Sequence, residues 1–369
     1  MRVLLCPWSS AGYLYPATAL ALELHRRGHD VALVAGGPAA HAARAAGIWV
    51  RQAPPAAFDV ADWFHNGADQ YRAVVELVRE TRPDVLVASV LGLGTLLAAR
   101  MLDLPVVVLG LTCHLWPYAE PNASAAEDPE QRGWRLAQTL RIWDTVSGSV
   151  GLAGSRPTVD AAPLLGTAFL LRGHPELETP GRVLPAAVRH VGPLWWEPAA
   201  GDETERQRLA AHVDRVGKPL AYVHLGRTFG GESLWSWIET AFRGSGYQAV
   251  VELGRSEPHR AAPGVDVLTV RRPWMSDLLQ RAELVVTNGT TAPVLGALLH
   301  GRPLFLRPNG GEQRVLAAAC VRAGVAERLP DPAAIENAVL GERARMLGAE
   351  LRETKSAALA AQAVEAAAR

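Results

Sequence analysis

The segment Glu283–Leu298 reads as an apolar strand, a turn of small residues, Asn288-Gly289-Thr290-Thr291, and a helix opening at Ala292-Pro293. Asn288 and Gly289 permit a tight turn, and Thr290 or Thr291 can cap the helix. A helix start carries amide donors without intrahelical acceptors and the positive end of the helix dipole, which together attract an anion. A diphosphate fits that chemistry; a well-capped helix with nothing bound fits the same letters. The chain has no Asp-x-Asp pair, no His-Glu-x-x-His and no Walker lysine loop. A bound diphosphate would then be neutralised by amides and side chains, with no metal site expected.

A second candidate lies near the N-terminus, where the strand Val3–Cys6 runs into Ser9-Ser10-Ala11-Gly12-Tyr13-Leu14-Tyr15-Pro16. The residue after Gly12 is a phenol, whose reference pKa of about 10 makes it a poor base at neutral pH. Gly92-Leu93-Gly94-Thr95 follows another strand, but the third glycine and the distal acid of a dinucleotide fingerprint are missing. Close helix–strand packing is the reading for these glycines. Trp63, Trp116, Trp134 and Trp143 could line an aromatic pocket, with core packing the default for each.

The elements that must position these residues alternate. A helix is expected over Ala17–Arg27, started by Pro16 and closed by Gly28. Strands follow at Asp30–Ala35, Ile48–Arg51, Asp84–Ala88 and Pro105–Gly110, with helices at Asp69–Thr81, Leu93–Leu102 and Gln131–Val146. After a proline-bounded turn near Val191–Pro198 comes a polar helix, Asp202–Arg215. A second series of strands then runs through Leu220–Leu225, Gln248–Leu253, Val265–Val270, Glu283–Thr287 and Pro303–Arg307. Apolar strands separated by helices imply parallel sheets covered on both faces. The expected class is α/β, with two Rossmann-like, doubly wound domains facing a central cleft. The boundaries are 1–190, a linker at 191–201, 202–350, and a C-terminal helix over 351–369 that packs back on the first domain.

Bulk properties narrow the function. At 369 residues the chain suits two domains, and 49 % hydrophobic with 20 % charged residues fits a globular protein. Lys+Arg and Asp+Glu both number 37, so nothing favours nucleic acid or an anionic membrane. The three cysteines, Cys6, Cys113 and Cys320, form neither a disulfide framework nor a metal motif, which points to a reducing cytoplasm. No membrane span or secretion signal is expected. A homodimer is left open.

The order of motifs resembles the nucleotide-sugar glycosyltransferases with the GT-B fold, particularly bacterial natural-product enzymes of the UDP-glycosyltransferase superfamily. The turn at Asn288 is followed by Gly301-Arg302-Pro303, then Pro308-Asn309-Gly310-Gly311-Glu312-Gln313. Arg26-Arg27-Gly28-His29-Asp30-Val31, Val191-Gly192-Pro193-Leu194 and Val223-His224-Leu225-Gly226-Arg227-Thr228 match further family segments in the same order. The resemblance implies that Asn288, Gly289, Thr290 and Thr291 hold a diphosphate, helped by Gly226, Arg227 and Thr228. It also implies that Glu312 and Gln313 bind sugar hydroxyls, and it places Trp274 and Met275 near the nucleobase. The co-substrates would be a dTDP- or UDP-sugar and a small acceptor, with no cofactor and with inversion at the anomeric carbon.

The same resemblance exposes departures. The family histidine of the diphosphate turn is Asn288, and a helix glutamate is Gly296. The family's catalytic histidine is Tyr13, beside Gly12, and the aspartate expected after strand Asp84–Ala88 is Ser89. Three explanations stay open: an acceptor such as an amine that needs little help, a base supplied by His114 or by Asp62 and His65, or lost catalysis. Trp63 and Trp116 belong with the acceptor side. A sugar-nucleotide epimerase or hydrolase, and a non-catalytic partner protein, are the rival functions.

Overall fold

The computed structural model describes the chain except residues 112–114, 116–128, 153–161, 179–183, 199–202, 227–233, 255–258, 260, 272–274, 311, 330, 333–334 and 336–340. Side chains 38, 39, 129–132, 162, 163, 205 and 312 are likewise outside the description. The described residues form two compact units. Unit 1 holds those up to Pro198 together with Thr354–Arg369, and unit 2 those of 203–353.

Unit 1 is built on seven strands: β1 (Arg2–Cys6), β2 (Asp30–Val34), β3 (Trp49–Arg51), β4 (Val85–Ser89), β5 (Val106–Gly110), β6 (Ala168–Leu171) and β7 (Val188–His190). They lie in the order β3-β2-β1-β4-β5-β6-β7, with every neighbouring pair parallel. Both faces are covered, and alternate residues of one strand serve different cores. Val3 and Leu5 pack with Leu20, Leu24, Ala360 and Val364, while Leu4 and Cys6 pack with Val74, Leu97 and Trp143.

The alanine-rich helix Ser356–Ala367 lies against the first helix, Ala11–Arg26. Its small residues Ala360, Ala361 and Ala363 are buried, so the two helices approach closely. Glu365 fastens this contact, accepting from Arg27 Nη1 at 3.1 Å and meeting His29 Nε2 at 2.9 Å.

Unit 2 repeats the plan with β8 (Leu220–His224), β9 (Gln248–Glu252), β10 (Val267–Val270), β11 (Ala282–Thr287), β12 (Leu304–Leu306) and β13 (Ala326–Arg328). Their order is β10-β9-β8-β11-β12-β13, again all parallel. In each unit the winding reverses beside the first strand. The topological switch points, where open α/β sheets bind ligands, are therefore β1/β4 and β8/β11.

Three local expectations are corrected. The first helix begins at Ala11, so Pro16 lies inside it and Tyr13 in its first turn. Pro16 has no N–H to give the carbonyl four residues back, Gly12 O, and that carbonyl accepts from Arg172 Nη1 at 3.3 Å instead. Ser89 is the last residue of β4 rather than one beyond it. Gly94 serves helix–helix packing: Leu93–Met101 lies on Gly67–Thr81.

A Cβ on Gly94 would fall 2.3 Å from Gly67 O and 2.6 Å from Tyr71 N, backbone atoms with little room to retreat. Gly94→Ala should therefore cost about 1–3 kcal/mol, read as a lower midpoint in thermal unfolding. Glu365 gives a pH prediction. Its carboxyl is held below the ordinary range by the His29 hydrogen bond first, with Arg27 adding to it against the opposing effect of burial. A depressed carboxylate stabilises the fold above its unfolded-state pKa and loses that contribution as pH falls through the folded one. Glu365→Gln should thus lower the melting midpoint at pH 7, with the gap to wild type closing in acid.

Candidate functional site

At the β8/β11 switch point, β11 ends at Thr287 and the helix Thr291–Leu299 begins four residues later. Gly289 makes the turn with φ +86°, where a side chain is strained and a Cβ would sit 3.1 Å from Gln313 O. Asn288, fully buried, accepts through Oδ1 from Thr290 N at 3.1 Å and Thr290 Oγ1 at 2.6 Å. Thr290, the residue before the helix, consequently makes no side-chain cap. Asn288 Nδ2 and Thr291 Oγ1 are buried with no partner among the described residues. Pro293 has no N–H, and Val294 N already reaches Thr290 O at 3.2 Å, so among the described residues the amides of Thr291 and Ala292 are the helix's open donors.

Gln313 is 2 % exposed and buttresses this turn. Its Oε1 accepts from Asn309 N at 2.9 Å, and its Nε2 lies 3.5 Å from Thr290 Oγ1. The side chain expected to face a sugar is thus engaged at both ends within the protein. Gly226, φ +92°, stands just beyond β8 at the same end of the sheet. Met275 is buried at the start of the helix Met275–Arg281. Arg227, Thr228 and Trp274, and the side chain of Glu312, lie outside the described residues.

At the β1/β4 switch point Trp8 spans the two strand ends. Its backbone N donates to Ser89 Oγ at 3.3 Å and its indole Nε1 to Val90 O at 2.9 Å, with the side chain buried. Ser89 Oγ therefore has a structural task in place of the family carboxylate. Gly12 is exposed and Tyr13 half-buried, packed on the core of that face. The segment 55–66 lies beside them, tied by Ser9 N to Phe58 O at 2.8 Å. It carries Asp62 and His65, joined Oδ1 to Nδ1 at 2.8 Å, and Trp63, which packs on the same core as Tyr13. Trp143 is core and Trp134 exposed. His114, Trp116 and Cys113 lie outside the described residues.

Whole-chain likeness adds to this geometry. SnogD from Streptomyces nogalater, a glycosyltransferase, superposes with TM-score 0.74 at 18 % identity, covering 100 % of both chains. The glycosyltransferase VinC, solved in complex with dTDP, gives 0.70 at 17 %, covering 100 % of this chain and 99 % of VinC. The fold is GT-B. A family model described as Glycosyltransferase Family 4 matches residues 17–147, in the GT-B chain's first part. The NDP-glycosyltransferase YjiC of Bacillus subtilis (strain 168) is 24 % identical over 259 residues. That alignment covers 69 % of this chain but 62 % of YjiC, under two thirds of the relative's length. Among the described residues no group of acidic, histidine or cysteine side chains could hold a metal, and no helix is long and apolar enough to cross a membrane.

The GT-B strand ends also hold polar groups that sequence reasoning passed over. Tyr222 Oη donates to Glu252 Oε2 at 2.6 Å, and His224 Nε2 lies 3.8 Å from Glu252 Oε1, all three buried. In unit 1, Arg172, His174 and Glu178 are buried just beyond β6. His190 ends β7, its imidazole pushed down first by burial and then by the charge of His174. The available signal was a charged or imidazole residue closing an otherwise apolar strand, as in Tyr222-Val223-His224 and Val250-Val251-Glu252.

Gln313→Ala would remove the acceptor that Gln313 Oε1 offers Asn309 N next to the turn. A loss of about 0.5–1.5 kcal/mol in unfolding free energy is expected, measured by chemical denaturation without nucleotide.

Proposed function

We propose that this GT-B chain transfers a sugar from a nucleoside diphosphate to a small natural-product acceptor, unit 2 holding the donor and unit 1 the acceptor. The observation that carries the reading is the turn at β8/β11. Asn288 Nδ2 and Thr291 Oγ1 are buried without partners among the described residues, beside open helix amides. Each such group costs about 1–3 kcal/mol when left unsatisfied, and a bound diphosphate would relieve it. The dTDP bound by VinC, and the nucleoside-diphosphate name of YjiC, support a dTDP- or UDP-sugar as donor.

In this reading the acceptor atom attacks the anomeric carbon as its bond to the diphosphate breaks, with inversion. Charge grows on the leaving diphosphate, and the amides at Thr291 and Ala292, the threonine hydroxyls and Asn288 stabilise it. Gly226 stands at the end of β8, and Arg227 and Thr228, next in the sequence, are assigned to the same diphosphate. Trp274 and Met275 flank the nucleobase, and Glu312 receives sugar hydroxyls while Gln313 holds the segment in place. A non-catalytic partner protein is the second reading, favoured by the engagement of Ser89 Oγ with Trp8.

Calorimetric titration with dTDP and UDP tests the donor site. At least one should bind, and Asn288→Asp, which sets a carboxylate against the diphosphate, should weaken it at least tenfold, about 1.4 kcal/mol. No binding by either nucleotide, or unchanged affinity in a folded Asn288→Asp variant, would refute the assignment.

A further inference from the structure

We infer that unit 1 carries an internal water site at the start of the helix Leu93–Met101, built from Thr95, Gln70 and Asn66. These side chains are buried and hold polar atoms to spare. Gln70, 1 % exposed, accepts from Thr95 N at 3.1 Å through Oε1, while its Nε2 has no partner among the described residues. Thr95 is fully buried, and its Oγ1 has none either. Asn66, also buried, gives Nδ2 to Ala56 O at 2.9 Å and Asp59 O at 2.8 Å and keeps Oδ1 unused.

The backbones around these atoms approach too closely for the side chains to swing out to solvent. A Cβ on Gly94 would fall 2.3 Å from Gly67 O and 2.8 Å from Gln70 Cβ. One on Gly67 would fall 2.5 Å from Val146 Cγ2, on the helix Pro129–Ser149. One on Gly92 would meet Ser89 O at 2.9 Å and Gln70 Oε1 at 3.7 Å, which puts the site directly beyond the end of β4. Next to Val146, the buried Ser147 Oγ is unpartnered as well.

The balance of donors and acceptors selects the ligand. Gln70 Nε2 donates only, Asn66 Oδ1 accepts only, and the Thr95 hydroxyl does both. An anion would meet the Asn66 oxygen, a cation would meet the Gln70 N–H, and an apolar group would satisfy none of them. Water donates twice and accepts twice, and a buried water makes about three such bonds. All of these atoms are shielded from solvent, so the ligand is small enough to be enclosed on folding.

Unit 2 provides the contrast. β4 holds the place in its sheet that β11 holds in the other, and a helix of nine residues follows each. Both helix starts leave a threonine hydroxyl and a carboxamide nitrogen unpaired among the described residues, Thr95 with Gln70 and Thr291 with Asn288. The spare oxygen is the difference. Asn288 spends its Oδ1 on Thr290, whereas Asn66 keeps its own. One start is set for an anion, the other for a neutral molecule.

A crystal structure of the full chain and the melting of two variants test the site. Ordered density should lie within hydrogen-bond distance of Gln70 Nε2, Thr95 Oγ1 and Asn66 Oδ1. Thr95→Val keeps the shape of the side chain and removes the hydroxyl. It should melt about 2–4 °C below wild type, because the bound water loses a partner. Thr95→Ser, which keeps the hydroxyl, should melt above Thr95→Val. A dry site gives the opposite sign, since deleting a buried hydroxyl that bonds nothing relieves a cost. Thr95→Val melting at or above wild type, or a crystal structure with no density at the three atoms, overturns the inference. If Thr95→Val does not fold, the wild-type density alone decides.

Discussion

A parallel sheet whose winding reverses leaves two central strands with no crossover helix closing the space beyond their carboxyl ends. Backbone groups there have lost their ladder partners, so the chain must satisfy them with turns, side chains or a ligand. This constraint acts in both units and is met to different degrees. At β1/β4 the chain reaches across through Trp8 to Ser89 and Val90, while Ser9 Oγ keeps no partner among the described residues. At β8/β11 it stops short, because Asn288 Oδ1 serves Thr290 while Nδ2 keeps no partner among the described residues.

The cost of that incompleteness is contained by rigid neighbours. Gly289 bends the chain where a side chain would strain, and Gln313 braces the turn from the next loop. The open donors are thus held ready, which is the condition under which fixed dipoles stabilise growing charge without reorganisation. Unit 1 uses similar economy. Pro16 deprives Gly12 of an intrahelical donor, and the buried Arg172 supplies one from beyond β6, joining the first helix to the far side of the sheet.

Carboxylates also brace both units. Glu252 takes the Tyr222 hydroxyl and lies near His224 inside the unit 2 sheet, where an unpaired carboxylate would be costly. Glu365 does comparable work on the outside of unit 1, where Arg27 and His29 converge on it and hold the last helix against the first. Charge is spent on holding elements together, while the open turn at Asn288 is left neutral.

The amino-acid order determined the α/β class, the strands β1, β4, β5, β8, β9 and β11, and the strand–turn–helix at Asn288. These are local patterns, apolar runs ended by small residues, that read the same in any context. It did not reveal β6, a strand of four residues flanked by Gly166 and Gly173, or β13, whose Ala326-Glu327-Arg328 is polar because it lies at a sheet edge. Pro16 misplaced the first helix start because Arg172, 156 residues later in the chain, replaces the donor that proline removes. The partners of Ser89, Gln313 and Glu252 were equally hidden, since hydrogen bonds between distant segments leave no periodicity. Sequence determined which residues could do chemistry; tertiary structure decided which were already engaged, because that depends on what the folded chain brings within 3.5 Å.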